Sequence, residues 1–202
     1  MYLAFDASTA ACTAALLQAD GTVVARVDEV IGRGHAERLA PMIAELLDGH
    51  VPTRILVGVG PGSFTGIRVA IATAHGLALG WNVPLTGFDS LALLAAGAPG
   101  EGPVAVAVNG GHGELFVRRF SRAPLVAVTD ADSLRPEAAA LVVTEPLVVG
   151  TGAEALVAAR GTGQAVDMLP SAAYILSLPE ELRSLDPKPS YGRAPDAKPK
   201  AA

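Results

Sequence analysis

"GVGPGSFTGIRVAIATAHGLALG", residues 58–80, sets three glycines and a proline ahead of a long apolar segment. The stretch reads as a strand running into a tight loop and then a helix, the layout in which many proteins hold phosphate on a helix N-terminus. The side chains that such loops require are missing. A Walker loop is GxxxxGK[ST]; here Thr65 stands five positions after Gly60, and no lysine lies in the region. The dinucleotide form GxGxxG fails at the same place, reading Gly60-Pro61-Gly62-Ser63-Phe64-Thr65. Two readings remain. Either Ser63 caps the helix in a plain turn, or the helix N-terminus still holds an anion through backbone N–H groups.

The helix itself is unusual. Residues 69–88 contain no Asp, Glu, Lys or Arg, so it offers water no charged face, and both of its sides need cover. His75 within it reads as a buried, hydrogen-bonded histidine. Its small residues Gly66, Ala70, Ala74, Gly76 and Ala78 permit close approach of a second helix. An amphipathic helix precedes it in "GRGHAERLAPMIAELLDGH", where Leu39, Met42, Ile43, Leu46 and Leu47 recur at helical spacing. Pro41 is expected early in that helix and Gly49 at its end. The two helices together suit one half of a four-helix interface. The expected partner surface is His35, Leu39, Met42, Ile43, Leu46, Arg68, Ala70, Ile71, Ala74 and Leu77.

Around this centre the chain reads as two units of one plan. Residues 2–5 form a short strand, and residues 12–17 and 22–27 flank the hairpin signal Asp20-Gly21. Asp89 or Ser90 opens a third helix as N-cap. "GAPGEGP", residues 97–103, is the best boundary signal. Beyond it, residues 104–108 and 114–120 repeat the strand–turn–strand order, with Asn109 in the place of Asp6. Further strands are expected at residues 140–143 and 147–149. The expected organisation is an N-terminal lobe over 1–102, carrying the dimerisation helices, and a smaller C-terminal lobe over 103–202 with a mobile tail.

Bulk properties limit the function classes. Of 202 residues, half are hydrophobic and 17% are charged, which indicates a globular chain with a large core or a subunit interface. The net charge of −5 argues against strong direct binding of tRNA or other nucleic acid. All three lysines (Lys188, Lys198, Lys200) lie at the C-terminal end. The single Cys12 excludes an internal disulfide and a multi-thiolate metal site, consistent with a reducing cytoplasm. No secretion signal is read at the N-terminus, and the apolar run 64–81, interrupted by Arg68 and His75, suits a buried helix better than a membrane span.

The catalytic inventory is poor. Asp6, Ser8 and Thr9 follow the first strand as the acidic phosphate hairpin of sugar kinases and actins does, but Ala7 and Ser8 stand where glycines would let the backbone close on phosphate. Asn109 at the second hairpin can serve neither as a base nor as a charged metal ligand, so phosphoryl transfer lacks its charge arrangement. Four histidines (His35, His50, His75, His112) never fall at the spacing of a helical metal pair. There is no HExxH and no GxSxG. No catalytic residue, metal or cofactor is expected. A residual anion site over Asp6, Ser8, Thr9, Gly62 and Ser63 stays open.

Five stretches together resemble one family. "GPGSFTGIRVAIATAHGLALG" is similar to the signature of the TsaB (YeaZ-type) proteins, "LAFDASTAACTAALL" to their opening hairpin and "GRGHAERLAPMIAELL" to their first helix. "NGGHGELF" resembles their second hairpin, with Asn109 and Gly111 in place of the usual aspartate and arginine, and "PSYGRAPDAKP" resembles their ending. The resemblance implies an α/β, two-lobed actin-like ATPase-domain (ASKHA) fold with a degenerate nucleotide site. It further implies a non-catalytic scaffold that TsaD needs to transfer threonylcarbamoyl to the adenosine beside the tRNA anticodon. The partners it implies are TsaD as heterodimer, TsaE in a larger complex, and a second copy when the chain is alone. An active ASKHA-type ATPase or kinase, or a glycoprotease-like peptidase, is the alternative.

Overall fold

Two antiparallel hairpins open two sheets built to the same plan. The computed structural model describes residues 1–192. The first sheet contains β1 (Tyr2–Asp6), β2 (Ala11–Leu17), β3 (Val23–Val30), β4 (Arg54–Gly58) and β5 (Leu85–Phe88), in the order β3-β2-β1-β4-β5. The second contains β6 (Val104–Gly111), β7 (Glu114–Arg122), β8 (Leu125–Ala127), β9 (Asp132–Leu134), β10 (Leu147–Val149) and β11 (Gln164–Val166). Its order is β11-β10-β6-β7-β8, with β9 paired to β7. In each sheet the hairpin is antiparallel and two further strands add parallel to its first strand. Helices make the crossovers: α1 (His35–Leu47) and α2 (Phe64–Trp81) in the first lobe, α4 (Pro136–Val142) and α5 (Ala153–Arg160) in the second. This repeated unit with its two acidic-or-amide hairpins is the actin-like arrangement.

The first sheet is covered on both faces, which is why β2, ACTAALL, is buried at every position rather than at alternate ones. Leu3, Phe5, Leu16, Ile55 and Val57 point towards α1 and α2. Their neighbours Ala4, Ala15, Leu17 and Leu56 point the other way, into a core shared with Val104, Val106, Phe116 and Phe120 of the second lobe. Between the sheets lies α3 (Ser90–Gly97), six of whose eight residues are buried. Asp89 caps it by accepting the Ala92 N–H at 2.8 Å. The chain passes from α3 to β6 through residues 98–103, where the glycine- and proline-rich boundary is read. After β11 it turns back: a 3₁₀ segment (Ala172–Ser177) and α6 (Glu180–Arg183) pack against the first lobe, with Ala172 and Ile175 in the shared core.

Two local expectations change. The stretch 140–143 is not a strand but mostly the end of α4, because Pro136 starts a helix at its first turn and an alanine run carries it on. Pro41 lies in the middle of α1, on its exposed side. Residues 187–192 contact the body through Ser190 and Tyr191, and the end of the expected mobile tail lies outside the described residues.

Candidate functional site

The turn after β1 and the glycine loop after β4 meet in one place. Asp6 is fully buried, and its Oδ1 accepts the Ser8 N–H and the Ser8 hydroxyl, both at 2.7 Å. Its Oδ2 accepts the Ser90 hydroxyl at 2.5 Å, and the Ser90 Oγ in turn accepts the Gly60 N–H at 3.0 Å. The His35 ring, at the start of α1, donates from Nε2 to the Thr9 carbonyl at 2.9 Å. Burial pushes the Asp6 carboxyl up from its ordinary range, against the pull of the Ser8 and Ser90 hydrogen bonds and of His35.

The glycines of the loop are explained by this turn. A Cβ on Gly58 would sit 1.7 Å from Asp6 Oδ2, one on Gly62 2.2 Å from the Ser8 carbonyl oxygen, and one on Gly66 1.9 Å from the Ala7 carbonyl oxygen. The loop therefore clasps the 6–8 turn at every fourth residue, and the Ser63 N–H donates to the Ser8 carbonyl at 2.7 Å. Ser63 also caps α2, its hydroxyl accepting the Gly66 N–H at 3.3 Å. The loop is shaped to hold protein backbone.

The five residues of the expected residual anion site are placed as follows. All five are brought together, but Asp6, Ser8 and Thr9 are buried, their polar atoms serve the turn, and Gly62 and Ser63 close over it. At the second hairpin Asn109 makes a structural pair: Thr151 Oγ1 accepts its N–H and the Thr151 carbonyl accepts its Nδ2–H, at 3.1 and 3.0 Å. Cys12 is buried, and burial pushes its thiol up to about 11. Among the described residues, no group of three His, Cys, Asp or Glu could hold a metal ion. None of the described helices is long and apolar enough to cross a membrane.

The expected partner surface also divides. Leu39, Met42, Ile43, Ala70, Ile71 and Ala74 are buried in the first lobe's own core, so they are not free to meet a partner. Of the small residues of α2, Ala70 and Ala74 pack in that core and Gly66 closes on the Ala7 carbonyl, while Gly76 faces open space. His35, Leu46 and Leu77 are half-buried, and Arg68 is exposed. The open side of α2 is formed by Phe64, Arg68, Ala72, His75, Gly76 and Leu79, with Phe64 55% and Leu79 85% exposed. His75, expected inside, is therefore outside, and it donates towards the Pro187 carbonyl at 3.4 Å. Helical periodicity alone could not choose between the two sides, because neither carries a run of charge.

Sequence reasoning missed the groups that come from far along the chain. Ser90 reaches Asp6 across 84 residues of sequence. Arg118 on β7 forms an ion pair with Asp89 at the start of α3 and also donates to the Thr129 carbonyl, tying the lobes together. Tyr191 stacks on Phe64 with ring centroids 4.8 Å apart. None of these pairings has a local signal.

The fold and this turn define a class: a two-lobed α/β protein of the actin-like ATPase type whose first acidic turn is bonded to its own chain. The family model for TsaD, tRNA N6-adenosine threonylcarbamoyltransferase, matches residues 22–140. A tRNA threonylcarbamoyladenosine biosynthesis protein TsaB from Escherichia coli is 40% identical over 128 residues. That alignment covers 59% of this chain and 54% of the relative, so the chain spans about half the length of the curated relative it matches. A crystal structure of an uncharacterised Pseudomonas aeruginosa protein with similarity to peptidase YEAZ superposes with a TM-score of 0.81 at 31% identity, covering 95% of this chain and 99% of that one. YeaZ from Pseudomonas aeruginosa superposes at 0.74 with 33% identity over 87% of this chain and 89% of its own. The chain belongs to the TsaB (YeaZ-type) family, within the TsaD superfamily.

Proposed function

We propose that this protein is a non-catalytic scaffold in tRNA threonylcarbamoyladenosine biosynthesis, which pairs with a TsaD-family paralogue as heterodimer and with TsaE in a larger assembly. The observation that carries the reading is the open side of α2, where Phe64, Ala72, Gly76 and Leu79 present an apolar stripe to solvent over four turns, with Arg68 as its one charged member. An exposed helix of this kind is what partner surfaces look like, and a stable interface buries about 800 Å² on each side. A second copy occupies the stripe when the paralogue is absent. The self-bonded Asp6 supports the non-catalytic part, since a carboxylate that accepts three hydrogen bonds in the interior is not presented to a metal or a phosphate. A peptidase finds little here: Cys12 is buried as a thiol, and the Ser8 and Ser90 hydroxyls donate to Asp6.

The test is sedimentation of the chain alone and mixed with a TsaD-family protein, for wild type and Leu79→Glu. Leu79 is the most exposed residue of the stripe, so the variant folds, and it is expected to weaken assembly at least tenfold by burying an unpaired charge. Wild-type affinity in a folded Leu79→Glu protein would place the interface elsewhere. ATP turnover by the isolated wild type would defeat the scaffold reading independently.

A further inference from the structure

The last described part of the chain crosses the carboxyl ends of two parallel strands. Leu185 and Gly87 of β5 exchange backbone hydrogen bonds at 2.7 and 2.9 Å, and the Ser190 N–H donates to the Val59 carbonyl, just past β4, at 2.8 Å. In open α/β sheets the crevice outside the carboxyl ends of the strands is where ligands bind. Here residues 186–192 lie across it. The fit is built into both sides. Gly60, at φ +98°, has the Ser190 carbonyl oxygen 2.5 Å from where a Cβ would stand. Gly192 sits between the lobes: a Cβ on it would meet Pro61 of the first lobe at 2.8 Å and the Phe116 ring of the second at 3.0 Å. Tyr191 lies on Phe64, and Pro187 accepts from His75, so the segment also runs along one flank of α2.

We propose that residues 186–192 form an intramolecular strap that occupies the ligand crevice and locks the glycine loop of the first lobe to Phe116 of the second. Few directional bonds hold it. The backbone bond from Ser190, the contact from His75, the Tyr191 stack and the packing of Gly192 are local contacts, of the kind that open without global unfolding. The strap is therefore a releasable element, and its release uncovers Val59, Gly60, Pro61 and Phe116 together. It depends on no partner and stands whether or not the scaffold reading holds.

Hydrogen–deuterium exchange on the full-length protein tests it, with Gly192→Val and Tyr191→Ala as variants. The valine pushes the strap off Pro61 and Phe116, and the alanine removes only the stack. Expected is at least tenfold faster exchange over residues 186–192, over the 58–66 loop and around Phe116, larger for Gly192→Val, with strands β1 and β10 unchanged. If Gly192→Val fails to fold, Tyr191→Ala gives the same reading with a smaller effect. A strap that exchanges freely while the loop and Phe116 keep wild-type rates would overturn the proposal, because the strap would then lock nothing. So would wild-type rates across the strap in both folded variants.

Discussion

Asp6 shows how one residue can keep its position and change its work. At the end of β1 it stands where an acidic ligand of phosphate hairpins stands, but it is fully buried and accepts from Ser8 twice and from Ser90 once. Burial raises its pKa above the ordinary value of 3.8. An acid raised in the folded state takes up a proton on folding, so its contribution to stability is full below the ordinary value and is lost as pH rises through the folded one. Each unit of that shift corresponds to about 1.4 kcal/mol. Asp6→Asn keeps an acceptor oxygen for Ser8 and removes the titration. Denaturant melts at stepped pH should therefore show wild type losing stability relative to the variant as pH rises above 3.8. A difference that stays flat would mean that the hydrogen bonds and His35 fully offset burial. The sequence displays Asp6 and its neighbour Ser8 plainly. It gives no sign of Ser90, since that contact depends on how α3 is set against the first sheet.

At the scale of elements, the glycine loop and α2 were legible as a strand–loop–helix with a serine cap, and the loop's partner was not. Three of its glycines answer to backbone or carboxylate atoms of the 6–8 turn, whereas Gly76, in the middle of α2, has nothing within 4 Å of a Cβ. The two kinds should respond oppositely to alanine. Gly66→Ala drives a methyl into the Ala7 carbonyl and is expected to cost about 1–3 kcal/mol, as overpacking does. Gly76→Ala adds a methyl in open space to a helix interior and is expected to gain about 0.5–1 kcal/mol. Thermal melts of the two variants check the pair, and equal effects would mean that the loop glycines provide flexibility and not contact. The same helix marks where pattern reading stops. Ala70, Ile71 and Ala74 face home while Ala72, His75 and Leu79 face out, and beyond Arg68 an apolar helix with small residues all round carries no charge to tell these sides apart.

The whole molecule repeats one strand order, and the repeat was visible as the strand–turn–strand of residues 104–120 echoing the start of the chain. The return of residues 172–192 to the first lobe had no such signal, because it is a packing arrangement of a short 3₁₀ segment and single residues without a period. That return adds to a core shared by both lobes. Thr13 on β2 accepts the Ala172 N–H at 2.7 Å and donates to Asp28, which also accepts the Ser171 hydroxyl. Beside this anchor, Ile175 is fully buried in the core that holds Ala4 and Phe88 of one lobe with Val104 and Phe120 of the other. Truncating it removes apolar contact from both lobes at once. Ile175→Ala is expected to cost about 2–5 kcal/mol through lost burial and the cavity left behind. Because the core is shared, the loss should appear as one calorimetric transition shifted to lower temperature, with its calorimetric and van't Hoff enthalpies equal, as in the wild type. Two resolved transitions, or a shift confined to one of them, would show that each lobe carries its own stability and that the C-terminal return joins them only loosely.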